Sequence, residues 1–488
     1  MSHVGETVDP SSADAVAGHR RPTPPGRVVI VSASMGAGHD GAAAELARRI
    51  AATGMNADRQ DLLDLMPARL GRTLGNGYHR LLVHAPWAYQ RIYSSTEQAG
   101  GTGPAARALL RAAEQRVLET LPADTRAVVS TYPGASRILG ALRLDGRLTV
   151  PVLTYLTDFS VHPLWVAPGV DTHLAAHAVP AAQARALGAA DVRVSGPVTD
   201  PRFTPGGPSE RSAARTRLGL PPHAPLALLV AGSWGVGPVR RVAAEIHACG
   251  AAVPVVVCGR NEALAERLRA DGVEHVVGWT DDMPSLMHAA DVLVQNAGGL
   301  TSLEAFACGL PVASYRCIPG HGLTNAAALD EAGLAAWIRD PSDLAPDLAD
   351  LIRGPRGDRQ RTAGFALFTS NSDTGPAAAI LRACGTASTM SLPAARTGEP
   401  QRRPRDAAAP DHVRTRPSGA PRPPRGPGAR RAMRRLAATA AMACALWAGG
   451  VGLGVAATHD YPGLLRAIDH RIDPDDMTPA PTVEGTQP

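Results

Sequence analysis

Two regions of the chain alternate short apolar runs with glycine turns and helix-period segments, the pattern of parallel strands buried on both faces. In the first region Val28–Val31, Ala127–Ser130 and Val150–Tyr155 read as strands. In the second, Leu226–Ala231, Val253–Cys258, Glu274–Val277, Val292–Val294 and Val312–Tyr315 do so. The pattern predicts an α/β protein of two Rossmann-like lobes facing a cleft, at 26–200 and 201–385. The proline-punctuated segment Ser195–Pro205 reads as the linker. Ligands of such sheets sit beyond the carboxyl ends of the strands, and that is where the glycine turns fall.

The turn after Val294 is the most informative. Gly298-Gly299 leads into a helix opening near Thr301 and stopped by Gly309 and Pro311. Backbone N–H groups and the positive end of a helix dipole then converge on one spot, where an anion such as phosphate belongs. Glu304 would repel a phosphate in direct contact. Either it closes a capping box with Thr301, or it reaches past the phosphates to a ribose diol. Further glycine turns follow at Gly232-Ser233-Trp234-Gly235, at Gly278-Trp279, and at Pro319-Gly320-His321-Gly322-Leu323-Thr324-Asn325, a loop. In the first lobe Gly36-Ala-Gly38-His39 precedes a helix over Gly41–Ala52. His39 either caps that helix or faces the cleft as a general base, since imidazole titrates near neutrality. Thr157-Asp158-Phe159-Ser-Val-His162 ends the strand Val150–Tyr155, and Asp158 with His162 is either a structural pair or part of the ligand edge.

Composition narrows the chemistry. None of the 488 residues is lysine, which excludes a Walker lysine, a Schiff base and pyridoxal phosphate catalysis. The six cysteines show no Cys-x-x-Cys pair and read as reduced thiols. The net charge of +5 is unevenly spread. Residues 386–435 hold 12 arginines against three acids, whereas 458–488 hold two against six. The basic character therefore belongs to a tail and gives no ground for nucleic-acid binding. Residues 1–25 and 386–435 lack hydrophobic periodicity and read as disordered. Leu436–Ala457 is apolar and uncharged, long enough to cross a bilayer as a C-terminal transmembrane helix, with a buried soluble helix as the alternative. The charge difference places the lobes in the cytoplasm and 458–488 outside, a single-pass arrangement in the cell membrane. Gly450 and Gly454 would permit a homodimer through that helix. In the segment 70–96, Tyr78, Trp87, Tyr89 and Tyr93 stand among Arg72, Arg80 and Arg91. That suits a lipid interface, or an ordinary core helix hairpin.

In order along the chain stand Gly-x-Gly-His, Thr-Asp-Phe-x-x-His-x-x-Trp, Gly-Trp-Thr-x-x-Met and Gly-Gly-x-Thr-x-x-Glu-Ala. This series resembles the monogalactosyldiacylglycerol synthase family and its relatives, the bacterial processive diacylglycerol glycosyltransferases, over about residues 27–385. The resemblance implies the GT-B glycosyltransferase fold and an inverting, metal-free transfer of a hexose from a UDP-sugar to diacylglycerol or a similar lipid. It implies that Gly298, Gly299 and Thr301 lie at the diphosphate, with Gly232, Ser233 and Gly235 in the same nucleotide-binding lobe. Glu304 would bind ribose, and Gly278 and Trp279 would lie near uracil. His39 would be the base, with Asp158 and His162 supporting or rival, and Tyr78, Trp87, Tyr89 and Tyr93 would form the acceptor and membrane face. The family often reads Pro-Gly-Gln-Glu-x-x-Asn at the sugar. Here His321 and Gly322 replace Gln and Glu while Asn325 remains, so the resemblance leaves the sugar open. A polyprenyl-linked or natural-product acceptor, UDP-sugar epimerisation and non-catalytic UDP-sugar sensing are the other readings.

Overall fold

A computed structural model of the chain describes residues 26–66, 70–98, 104–369 and 375–387. It contains two six-stranded sheets in which every pairing is parallel. The first sheet comprises β1 (Arg27–Ser32), β2 (Asn56–Asp61), β3 (Thr125–Ser130), β4 (Val152–Tyr155), β5 (Thr172–Ala175) and β6 (Val192–Val194), in the order β2-β1-β3-β4-β5-β6. The second comprises β7 (Leu226–Val230), β8 (Val253–Val257), β9 (His275–Val277), β10 (Val292–Gln295), β11 (Val312–Tyr315) and β12 (Ala336–Ile338), in the order β12-β11-β10-β7-β8-β9. Strand order reverses between β1 and β3 and again between β7 and β10. At such switch points the loops diverge and open a crevice. The turns after β1 and β10 both lie there, so topology alone aims them into one cleft.

Five helices matter for the site. They are α1 (Ala37–Ala51), α2 (Leu70–His84), α3 (Pro86–Gln98), α4 (Leu300–Ala307) and α5 (His321–Glu331). The central strands have no exposed face: Val28–Val31, Ala227 and Leu228, and Val292–Val294 are all fully buried. β2 is different, because Asn-Ala-Asp-Arg-Gln-Asp carries no apolar stripe. It is an edge strand held by backbone pairing to β1 and by Arg27, whose guanidinium bridges Asp58 at 2.6 Å and Asp124 at 3.1 Å. Charged edges of this kind discourage sheet-to-sheet pairing with another molecule.

Three expectations need correction. The helix after β1 starts at Ala37, not Gly41, so His39 sits in its first turn. The stretch at His321 is no loop, because a helix begins at that residue. The boundary expected at 385 also fails to separate the lobes. The helix Pro376–Ala387 returns to the first lobe and packs on α1 and β3, burying Ile380 and Cys384 in the cluster that holds Val28, Ile30 and Leu46. The expected membrane span 436–457 and the segments 1–25, 388–435 and 458–488 lie outside the described residues. Among the described residues no helix is long and apolar enough to cross a membrane.

Candidate active site

A cavity of about 600 Å³ lies between the lobes, walled by the turns after β1, β7 and β10, by α1 and by the linker. Of the residues singled out from sequence, it brings together His39, Asp158, Tyr78, Gly232, Ser233, Gly278, Trp279, Gly298, Gly299, Thr301, Glu304 and His321. Gly235, Asn325, His162, Trp87, Tyr89 and Tyr93 are not part of its wall.

His39 is held from behind. Its Nδ1 lies 2.9 Å from the Thr131 carbonyl oxygen and 2.9 Å from Thr157 Oγ1, while Thr131 Oγ1 donates to the His39 carbonyl at 3.1 Å. A carbonyl can only accept, so in the neutral ring Nδ1 carries the hydrogen and Nε2 keeps its lone pair. Tyr132 packs edge-on against the ring at 5.2 Å between centroids. The carboxylate of Asp158 accepts from Trp165 Nε1 at 3.0 Å and from Asn325 Nδ2 at 3.4 Å.

His162 does other work. Its Nδ1 accepts the Leu164 N–H at 3.2 Å, capping a short 3₁₀ turn, and its ring packs against Tyr93 at 4.5 Å between centroids, the planes inclined at 56°. Burial pushes its pKa down to about 4, so it is neutral at neutral pH. The structure thus withdraws it from the cleft wall.

Across the cavity stands the N-terminus of α4, which meets the N-terminal part of α1. Gly298 has φ +73°, and a Cβ there would come within 2.8 Å of Asn325 Cβ, so the turn requires glycine. The expected cradle shifts by one residue. The N–H groups of Ala297 and Gly298 are both taken by the Gln295 side chain, leaving those of Gly299, Leu300 and Thr301 at the helix end. No side chain caps α4 at Gly299, so the Thr301–Glu304 capping box does not form. Glu304 instead lines the cavity one turn in.

The cavity wall holds two arginines, and both are engaged: Arg48 with Glu45 at 2.7 Å and Arg202 with Asp200 at 2.9 Å. The remaining positive features of the wall are main-chain N–H groups and helix N-termini. Burial, with nearby Asp200, raises Glu304 to about 7 and so reduces the negative charge it shows near neutrality. A carboxyl raised in the fold lowers stability as pH climbs from its unfolded value through about 7, and the penalty is complete above that. Glu304→Gln is accordingly expected to raise the unfolding midpoint by about 2 °C at pH 8 and to leave it unchanged at pH 4. Thermal melts at the two pH values measure this.

Asn325 ties the lobes together from outside the cavity. Its Oδ1 accepts from the Ser160 N–H at 2.8 Å and hydroxyl at 3.0 Å, and its Nδ2 donates to the Ala297 carbonyl at 2.9 Å. The aromatic segment is likewise corrected. Tyr78, Tyr89 and Tyr93 are buried, whereas Trp87 is 62% exposed beside Val83, also exposed, at the α2–α3 junction. Trp279 stands half-exposed at the cleft, with the Arg260 guanidinium 4.1 Å over its ring. Sequence reasoning missed Trp234, which lines the cavity and packs against His79 and Tyr78 of α2. It also missed Thr131, whose signal was its place at the end of β3, and it gave Thr157, the first residue of the Thr-Asp-Phe motif, no part in holding His39.

The comparisons with known proteins agree with this arrangement. Residues 39–197 match the family model described as monogalactosyldiacylglycerol (MGDG) synthase, and residues 235–354 match that described as glycosyl transferases group 1. The resemblance to the monogalactosyldiacylglycerol synthase family therefore stands. The processive diacylglycerol beta-glucosyltransferase of Bacillus subtilis (strain 168) is 28% identical over 221 residues, which is 43% of this chain and 56% of that protein. Its counterpart in Bacillus cereus (strain ATCC 14579) is 29% identical over 234 residues, 44% of this chain and 57% of that one. The matches thus span little more than half the length of these relatives. Among solved structures, MurG of Acinetobacter baumannii aligns with 75% of this chain and 100% of its own, at 15% identity and a TM-score of 0.45. The two-lobed, GT-B type fold is read here from the two parallel sheets themselves.

Proposed function

We propose that the protein transfers a hexose from a UDP-sugar to diacylglycerol or a similar membrane lipid, with inversion at the anomeric carbon. One observation carries this reading: His39, with its Nδ1 hydrogen pinned on Thr131, faces a cavity that also holds the uncapped N-terminus of α4. His39 Nε2 takes the proton of the acceptor hydroxyl as its oxygen attacks the anomeric carbon. The bond from that carbon to the phosphate oxygen breaks, and one displacement from the opposite face inverts the centre. The negative charge left on UDP is met by the N–H groups of Gly299, Leu300 and Thr301 and by the α4 dipole. Gly278 and Trp279 receive the uracil, Glu304 the ribose hydroxyls, and Gly232 and Ser233 the far side of the phosphates.

The relatives' names support the lipid acceptor, each being called a processive diacylglycerol beta-glucosyltransferase. Trp87 and Val83 give the acceptor lobe an apolar tip that suits a bilayer surface. The apolar run 436–457 would anchor the chain in the cell membrane with both lobes in the cytoplasm.

The test is the purified full-length chain with radiolabelled UDP-glucose or UDP-galactose and diacylglycerol vesicles, followed by solvent extraction. Label in the lipid phase is expected. Altered sugar nucleotide in the water phase without acceptor would instead mean an epimerase, and UDP binding with no turnover a sensor.

A further inference from the structure

The donor lobe's His321 is held by the acceptor lobe. Tyr89 Oη lies 3.0 Å from His321 Nδ1, the rings meeting edge to face at 81°. The next residue on α3, Gln90, accepts the Gly320 N–H at 2.6 Å. One turn on, Tyr93 Oη lies 3.2 Å from Thr324 Oγ1. Gly320 has φ +70°, and a Cβ there would stand 2.7 Å from Tyr89 Cε1 and 2.9 Å from Tyr93 Cδ2, so the loop is shaped to this helix face. Tyr89 itself is 1% exposed. This is a built junction of two lobes, and it ends on a side chain in the cavity wall.

The chemistry of His321 makes the contact consequential. Burial pushes its pKa below the ordinary imidazole value, so the ring is neutral, with one N–H and one lone pair. Nδ1 is engaged by Tyr89, which leaves Nε2 as its one polar atom for the cavity. Tyr89 is hydrogen-bonded in turn to Tyr78, a cavity residue. If Tyr89 donates to Nδ1, Nε2 carries the hydrogen and donates to a ligand. If Nδ1 donates to Tyr89, Nε2 accepts. Hexoses that differ at one hydroxyl differ in what they offer such an atom, and a buried polar atom left unpaired is what rejects a substrate.

We propose that Tyr89 is a positioning residue for His321, and through it for hexose selection. A helix of the acceptor lobe fixes which polar atom the donor lobe presents to the sugar, so selection is completed only when the lobes are together. This rests on the reading of the cleft as a UDP-hexose site.

Tyr89→Phe in the full-length chain keeps the ring and removes the hydroxyl. The ratio of kcat/KM for UDP-glucose to that for UDP-galactose is expected to change about tenfold, with UDP affinity by calorimetry held within about twofold. His321→Ala should shift the ratio comparably, and the double variant should add nothing further. The ¹⁵N resonances of His321, read without substrate, should show a changed tautomer balance in Tyr89→Phe. Multiplying effects in the double variant, or an unmoved ratio with weakened UDP binding, would reduce Tyr89 to packing and overturn the proposal. An unmoved His321 tautomer would do the same. Failure of the unaltered protein to bind UDP would instead bring down the functional reading, and the resonances would still report whether Tyr89 governs His321.

Discussion

Replacing His39 by alanine is expected to lower kcat for hexose transfer by about 10²- to 10⁴-fold, the usual worth of a positioned base, while UDP binds as before. The asymmetry follows from where the side chain is anchored. Its Nδ1 is tied to Thr131 and Thr157, both within the first lobe, on the opposite side of the cavity from the turn that carries the α4 N-terminus. Removing it takes away the proton acceptor and leaves the main-chain cradle intact. Single-turnover transfer and UDP calorimetry on the same preparation separate the two effects. Retained transfer would pass the role to Asp158, whose carboxylate also lines the cavity.

Gly299→Asp is expected to weaken UDP binding by about 100-fold or more while leaving the thermal midpoint unchanged or slightly raised. Gly299 is the N-cap of α4, it has no side-chain cap, and a Cβ there would meet nothing within 4 Å. An aspartate at an N-cap is favourable to the helix, so the fold has no reason to suffer. The same carboxylate, however, occupies the unpaired N–H groups and sets a like charge where the diphosphate must lie. The neighbouring glycine gives the contrast. At Gly298 the positive φ and the 2.8 Å approach to Asn325 mean that alanine should lower the midpoint by several degrees. Calorimetry with UDP beside thermal melts of both variants measures this. Tight binding by Gly299→Asp would remove α4 from the anion site.

Seven of the eight strands read from sequence are apolar runs that the fold buries, where the pattern speaks plainly; the eighth, β9, is a half-buried edge strand. β2 escaped notice because an edge strand held by backbone pairing needs no hydrophobic stripe, and Asn56–Asp61 has none. β5 and β6 carry Thr172, His173 and Arg193 among their few residues, so no apolar run marks them. The turn residues of the site were legible because glycine and helix starts mark them locally. The partners of those residues were not. That Gln295 consumes the Gly298 N–H is decided by the local course of the turn, and that Tyr89 touches His321 from 232 positions away by how the two lobes close. The tyrosines of α3 showed the ambiguity most sharply, since aromatic and arginine content suits a lipid surface and an interdomain core alike.

The helix Pro376–Ala387, seated beside Val28 and Leu46, brings the polypeptide home to the lobe where it began. The main chain therefore passes between the halves twice. A molecule joined by one strand could swivel freely, whereas one joined by two opens along a single line, like a book on its spine. It follows that severing the chain near Pro205 would not release two self-sufficient fragments, because residues 26–200 would be missing part of their own interior.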